Sequence, residues 1–405
     1  MKKQSVYAAV IGGGAAGLMC AVQAAKRYPD KRIAVIEKAD RVGKKLLVTG
    51  NGRCNLSNLN ASSADYHGEG SEQLINILFE KYPPEAVLKS FKALGLFSRS
   101  DSEGRVYPLS NQASSVLDIL RLNIKELGVE ELCGFDIRDI VKTSSGFEIT
   151  STDRKVFAQK LVVATGGRAD HAGRESGSAD ILRMLGLSTV KPTPSLSPVK
   201  VRCELLRSLK GVRADARVTL MKGGKALKAE RGEVQFAEEA LSGICVFNLS
   251  REANKGGCEL SLDLLPDYNT DDVRAEITRR VKSRPYAPAG ELFTGVFHKN
   301  LGLFILKSSG IKPSALCSDI SDKEISALCK RVKDRRFTCE ENHDFRKAQV
   351  TAGGIKLSEI DPKTFEARRI KDLYIVGEAL DIDGDCGGYN LQFAFASGMC
   401  AGECL

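Results

Sequence analysis

Tyr7-Ala8-Ala9-Val10-Ile11-Gly12-Gly13-Gly14-Ala15-Ala16-Gly17-Leu18-Met19-Cys20-Ala21-Val22-Gln23-Ala24-Ala25-Lys26, with Ile33-Ala34-Val35-Ile36-Glu37 just beyond it, decides the fold. Residues 7–11 are a short apolar run suited to a buried parallel strand. Glycines at 12, 14 and 17 follow in G-x-G-x-x-G spacing. A small-residue helix, a second apolar strand and an acid at 37 complete the order. Gly12 permits a tight turn out of the strand, Gly14 lets a pyrophosphate approach bare backbone, and Gly17 lets the helix pack against the sheet. Ala15 and Ala16 open the helix, whose free N–H groups and positive dipole end suit phosphate. Glu37 can accept hydrogen bonds from the adenosine ribose. A glycine-rich turn in an unrelated α/β domain would need none of the other features. An acid at 37 disfavours a 2′-phosphate, which sets NADP aside and leaves NAD or FAD.

The chain continues Lys38-Ala39-Asp40-Arg41-Val42-Gly43-Lys44-Lys45-Leu46-Leu47-Val48-Thr49-Gly50-Asn51-Gly52-Arg53-Cys54-Asn55-Leu56-Ser57-Asn58. This segment resembles the bacterial FAD-dependent oxidoreductase family of BaiN/RdsA-type and aminoacetone-oxidase-like proteins, and residues 43–58 are its most specific feature. The resemblance implies FAD, with Lys38, Arg41, Gly43, Lys44, Lys45, Thr49, Gly50, Asn51, Arg53, Cys54 and Asn55 wrapping the pyrophosphate and flavin. Leu161–Val163 followed by Ala164, Thr165, Gly166 and Gly167 is similar to the second nucleotide-contact strand of two-dinucleotide-domain flavoproteins. Leu373–Gln392 resembles the family's last FAD motif. There Gly377, Glu378 and Asp381 meet the ribityl and pyrophosphate. Gly387, Gly388, Tyr389, Asn390, Leu391 and Gln392 start a helix beside the flavin ring. Thr351, Gly353 and Gly354 are placed near that ring, and Ile137 is assigned the backbone contact to adenine by the same likeness.

Motifs at 12–58, 161–167 and 373–392 serve one ligand, so the segments that carry them fold together. The stretch between them is too long for loops and implies an inserted domain. The expected architecture is α/β: a discontinuous, Rossmann-like two-dinucleotide-binding FAD domain at 1–190 and 350–405. An antiparallel, barrel-like β subdomain takes 191–268 and a small helical subdomain 269–332, with a returning strand within 333–349. Lys191–Pro198 holds three prolines and reads as the exit linker. Strands are expected at Val199–Cys203, Ala216–Met221, Gly232–Phe236, Val246–Leu249 and Glu259–Leu262, with a hairpin turn at Gly223-Gly224. Thr270-Asp271-Asp272 offers a helix start, Ser321–Glu324 a capping box, and Arg336–Cys339 a returning strand.

Composition agrees with a globular protein. The 405 residues, at about 150 per domain, suggest two or three domains. Hydrophobic residues are 42%, charged residues 27% and mean hydropathy is −0.17, which excludes disorder for most of the chain. No apolar run is long enough for a transmembrane helix, and the N-terminal residues do not read as a signal peptide. The 38 glycines exceed the roughly 28 of average usage. Lys and Arg number 60 against 51 acids, a net charge of +9. The basic groups, such as Arg331, Lys333, Arg335 and Arg336, are short, and no aromatic ladder interleaves them, which argues against a nucleic-acid partner. The 12 cysteines form no C-x-x-C pair, so zinc-ribbon and dithiol readings are set aside and a reducing cytoplasm is expected. His67, His171, His298 and His343 show no paired metal-ligand spacing, and no metal is expected.

A flavin carries its own hydride chemistry, and the protein positions a substrate against it. With no second G-x-G-x-x-G, a nicotinamide donor NAD(P)H would dock transiently. The sequence shows no catalytic dyad. Asn55, Thr351, Tyr389 and Asn390 are the catalytic candidates. Arg53 can hold an anion or form a surface ion pair, and Cys54 can be a redox thiol or, the favoured reading, a small packed side chain. The expected activity is reduction of a small organic or steroid-like substrate. The alternatives are an O₂-using amine oxidase, a flavin-binding sensor or electron carrier, and an RNA-modifying flavoprotein.

Overall fold

The computed structural model describes residues 2–169 and 178–405. The chain divides into two units, Met1–Pro192 with Val350–Leu405, and Thr193–Gln349.

In the first unit the apolar runs pair in parallel. Lys2–Ile11 lies between Ile33–Ile36 and Arg154–Val163, with Ile11 opposite both Ile36 and Val163. Glu130–Leu132 extends the sheet beyond Ile33–Ile36, and Leu373–Ile375 pairs with Leu161–Val163. Gly146–Thr150 and Asp139–Thr143 add an antiparallel edge, giving seven strands. Parallel register brings the carboxyl ends of five strands, at residues 11, 36, 132, 163 and 375, to one edge. In open α/β sheets ligands bind at that edge.

The first helix, Ala15–Arg27, buries its small residues from Ala16 to Ala25 against this sheet and against the last helix, Tyr389–Cys404. Two glycines of the last helix allow the approach. A Cβ at Gly398 would lie 2.4 Å from the Ala16 carbonyl oxygen, and one at Gly402 2.6 Å from that of Cys20. The division between the units falls within the exit linker expected over 191–198, much of which is a strand, Thr189–Ser195, paired with Val350–Ile355. A two-stranded sheet is all edge, where proline's missing N–H is tolerated. Ile137 lies in the loop before Asp139–Thr143 and not in a strand.

The second unit closes a barrel in the order Val199–Arg202, Ala240–Ser242, Lys225–Phe236, Arg213–Lys222, Glu259–Asp263, Arg335–Cys339. Gly223 and Gly224 turn the hairpin with φ of 56° and 81°. Val246–Leu249, expected as a strand, belongs to the helix Ile244–Ala253. Its buried residues Cys245, Val246, Leu249, Ser250 and Ala253 follow a helical period, which a short apolar window does not reveal. Helices Thr270–Ser283, Lys299–Ser308 and Asp322–Lys333 share one hydrophobic core with the barrel. The cap of the first of these is Asn269, one residue before the expected start, because its side chain accepts from Asp272 N at 2.8 Å and Asp272 returns the bond. Ser321 caps the third as expected. Among the described residues no helix is long and apolar enough to cross a membrane.

Candidate functional site

The glycine loop is built as its spacing requires. Gly12 has φ 104°, and a Cβ there would meet the Ala164 carbonyl oxygen at 2.3 Å. A Cβ at Gly17 would lie 1.9 Å from the Gly12 carbonyl oxygen, so the helix can sit this close only with glycine. At Gly14, by contrast, a Cβ would meet nothing within 4 Å. Gly14 is the N-cap of the first helix, and no side chain caps it. Bare N–H groups at Ala15 and Ala16 beside open space fit a pyrophosphate.

Glu37 ends the second strand. Its Oε2 accepts from Gly13 N at 2.9 Å and its Oε1 from Ala39 N at 2.8 Å. The carboxylate thus ties the glycine loop to the next segment. Gly13, absent from the sequence-based set, is needed here: a Cβ would lie 2.5 Å from Val42. The unbroken Gly12-Gly13-Gly14 run was the available signal. Beyond Glu37, Lys38 reaches Asp136 at 3.3 Å, Lys44 pairs with Asp40, and Arg41 is exposed. Lys38 and Lys44 thus have surface partners of their own. Ile137 lies near them, in the loop whose Phe135 N donates to Glu37 O at 2.9 Å.

Residues 43–55 fold back over the loop. Gly43 N donates to Gly13 O at 2.7 Å. Leu46–Gly52 is a broken 3-10 stretch in which Gly50 and Asn51 take φ of 56° and 55°, and Thr49 Oγ1 donates to Leu46 O at 2.7 Å. Arg53 lies 5.0 Å over the Tyr107 ring, a cation–π contact. Cys54 is fully buried, and burial pushes its thiol up to about 12. It is a packed side chain and not a thiolate.

Glu378 is where separate segments meet. Its Oε2 takes a 2.6 Å ion pair from Lys45 Nζ, and its Oε1 accepts from Thr351 N at 2.7 Å. Gly167 backs onto both residues: a Cβ there would lie 2.4 Å from Thr351 Oγ1 and 2.6 Å from Glu378 Oε1. Thr351 Oγ1 accepts from Arg168 N and Ala169 N at 2.8 and 3.0 Å, which makes it a staple for the segment after Gly166. Asp381 Oδ1 accepts from Gly353 N at 3.0 Å, and Gly353 with φ 93° packs on the Lys191 carbonyl. Gly377 N donates to Ser397 Oγ at 3.1 Å, joining this strand end to the last helix.

Gly387 and Gly388 have φ of 150° and 103°, and Gly388 is the N-cap of the last helix, again without a side-chain cap. A Cβ at Gly388 would lie 2.8 Å from Asn55 Oδ1. Tyr389 is half-buried, and burial pushes its phenol up to about 12. Asn390 clamps Gly384: Oδ1 accepts from its N and Nδ2 donates to its O, both at 2.8 Å. Gln392 is fully buried between Ser57 Oγ at 2.7 Å and Tyr82 O at 3.3 Å, and Leu391 packs on the core. Asn390 and Gln392 therefore spend their amides on the protein.

Two buried polar atoms in this cradle, Thr165 Oγ1 and Asn55 Oδ1, have no hydrogen-bond partner. A buried polar group without a partner costs about 1–3 kcal/mol. Both would be satisfied by a polar ligand, so the cradle fits a dinucleotide. One pair at its rim has no sequence signal: His67 Nε2 lies 2.7 Å from Asp385 Oδ1. The two residues are 318 positions apart, so only pairing of Tyr66–His67 with Asp383–Gly384 brings them together.

Residues 6–404 match the model of the HI0933-like protein Rossmann domain. The chain is 36% identical over 400 residues to the 3-dehydro-bile acid delta(4,6)-reductase of Clostridium scindens, covering 97% of each. It is 25% identical to the ribosomal RNA dihydrouridine synthase of Escherichia coli, covering 98% of this chain and 97% of that protein. Among solved structures it is similar to a quinol-fumarate reductase with menaquinol molecules, with TM-score 0.49, 16% identity and coverage of 100% and 71%. It is also similar to the 3-ketosteroid-delta4-(5alpha)-dehydrogenase of Rhodococcus jostii in complex with 4-androstene-3,17-dione, with TM-score 0.47, 15% identity and coverage of 99% and 96%. With nearly its whole length matched and the glycine cradle assembled at the sheet edge, the chain belongs to the HI0933-like Rossmann family.

Proposed function

We propose that the chain is an FAD-dependent oxidoreductase that reduces an activated C=C bond in a steroid-like substrate, with NADH or NADPH as a transient donor. The carrying observation is the 36% identity, over 97% of both chains, to a protein named as a delta(4,6)-reductase. The cradle supports the same reading. The Gly12–Gly17 loop and the first helix's uncapped N-terminus would hold the pyrophosphate, and Glu37 the adenosine ribose. Thr165, Gly166, Gly167, Glu378 and Asp381 would line the ribityl side, and Asn55, Gly388 and Tyr389 the ring. Bound there, the flavin supplies two-electron transfer. The chain's own part is orientation and electrostatics. The bare N-terminus at Gly388 presents N–H groups and a positive dipole end to negative charge. The twelve cysteines are thiols and not cystines, as a reducing cytoplasm would keep them.

A second reading has its own support. Relatives at 25% identity are named ribosomal RNA dihydrouridine synthases, and the net charge is +9. One experiment separates the readings. Purified protein loaded with FAD is mixed anaerobically with NADH or NADPH in stopped flow. The bleached flavin is then offered a 3-oxo-4-ene steroid or a ribosomal RNA fragment, and in a separate arm without nicotinamide the oxidised flavin is offered an amine in air. Bleaching by one nicotinamide and reoxidation by the steroid are expected. Reoxidation by RNA alone selects the second reading, and H₂O₂ release with amines selects an oxidase. Protein that stays colourless with added FAD overturns the flavoprotein assignment.

A further inference from the structure

We propose that His67 and Asp385 form the proton-handling pair of this site, with His67 delivering the proton that accompanies reduction of the substrate double bond. This rests on the reductase reading above. The pair is held from both sides by backbone. Asp383 pairs with His67 and Gly384 with Tyr66 in an antiparallel bridge. Asp385 N donates to Asp65 O at 2.9 Å. Asn390 fixes Gly384 through both amide atoms, and Gly68 packs on the Asp381 carbonyl, where a Cβ would lie 2.2 Å away. So much fixation around one 2.7 Å side-chain contact holds the imidazole in a single orientation.

The chemistry follows from the partner. An ionised carboxylate only accepts, so Nε2 carries the hydrogen toward Asp385, and Nδ1 is left to take up or release a proton. A carboxylate behind an imidazole stabilises the imidazolium and fixes its tautomer. The location fits the role. Asp385 lies between the Asn390 clamp and the Gly387-Gly388 turn, and the Tyr66 ring meets the Tyr389 ring edge-on at 6.2 Å. The side chains of His67 and Asp385 are 29% and 16% exposed, so a substrate can reach the pair. The residues named from sequence are less suited: Asn390 and Thr351 are taken up by backbone bonds, and burial pushes the Tyr389 phenol up to about 12.

The step balances as follows. One C=C π bond breaks and two C–H bonds form. The electron pair arrives with one hydrogen as hydride from a reduced-flavin reductant. The second hydrogen is the proton released from His67 Nδ1, and water restores it. Other charged or titratable groups around the pair are Asp65, Tyr66, Glu69, Glu103, Arg105, Cys386 and Tyr389.

The test uses the FAD-loaded full chain and the variants His67→Gln and Asp385→Asn. Flavin affinity is read by fluorescence quenching and stability by thermal melt. The two half-reactions are read separately in stopped flow with NAD(P)H and with a 3-oxo-4-ene steroid. In both variants the FAD affinity should stay within about two-fold and flavin bleaching by the donor should be unchanged. Substrate-driven reoxidation should fall about 10²–10⁴-fold in His67→Gln, the range for a lost general acid, and its D₂O isotope effect should disappear. Unchanged reoxidation in His67→Gln, or equal loss in both half-reactions together with loss of flavin, overturns the pair. A wild type that the steroid does not reoxidise overturns the reductase reading, and the pair with it.

Discussion

Gly398→Ala sets two effects of opposite sign against each other. Alanine is the better helix former by about 0.8–1.0 kcal/mol, so propensity alone makes the variant more stable. The last helix, however, runs against the first with no room at this position. The new Cβ would lie 2.4 Å from the Ala16 carbonyl oxygen and 3.2 Å from Cys20 N, both backbone atoms. Restoring ordinary contact requires the helices to part by about 1 Å. Overpacking of a tight interface costs about 1–3 kcal/mol, and here no side chain can swing aside, so the upper end applies. The net loss is about 2 kcal/mol, roughly 4–8 °C in Tm for a unit of this size. Both helices begin at the cradle, at Gly14 and Gly388, so FAD affinity should fall as well. Circular-dichroism melts and flavin-fluorescence titration read the two effects. A variant that melts at or above the wild type would refute the packing argument. Gly402→Ala, aimed at the Cys20 carbonyl, should shift Tm in the same direction.

Glu37→Gln removes the charge that holds Gly13 N and Ala39 N. Charge-assisted bonds are worth about 1.5–3 kcal/mol, so FAD should bind ten-fold or more weakly by titration; an unchanged affinity removes Glu37 from the site. The Glu359 carboxyl is held below the usual range by Ser188 and then by the Arg369 guanidinium. A depressed folded value means stability that is present above the unfolded value of about 4.3 and lost as pH falls through the folded one. Arg369→Ala should therefore flatten the acid limb of the stability curve and cost about 1 kcal/mol at neutral pH in urea melts. An acid limb as steep as the wild type's counts against the pair. Cys404 is held below its ordinary range by its hydrogen bond with Cys400, whereas burial pushes Cys54 up to about 12. Iodoacetamide at pH 8 should label Cys404 and spare Cys54 until the protein unfolds, as peptide mass spectrometry would show.

The legible parts of this protein are those whose chemistry is local. Gly12, Gly14 and Gly17 were readable because their spacing between a strand and a helix is itself the signal of a dinucleotide turn. The barrel hairpin at Gly223-Gly224 was likewise readable from a turn signal of its own. Val246–Leu249 was misread as a strand because a four-residue, mostly apolar window fits a strand as well as a helix, and only burial against the barrel selects the period. The strand at Thr189–Ser195 was not readable beneath the prolines of 192–194 because its one partner in that sheet, Val350–Ile355, lies far along the chain.

The sequence by itself marked the glycine loop and the acid that ties it down, since glycine spacing and strand ends encode these locally, and its resemblance to a flavoprotein family marked the further segments expected to share the ligand. Only the tertiary structure decided which side chains are free to act. Thr351 and Gln392 look like chemistry in a motif but are held by partners far along the chain, and Asn390 is held by the backbone of Gly384. His67 and Asp385, 318 residues apart, become a pair only when two short strands meet. A hydrogen-bonding side chain commits its valence to whatever the fold brings within 3 Å or so, and no local pattern records that choice.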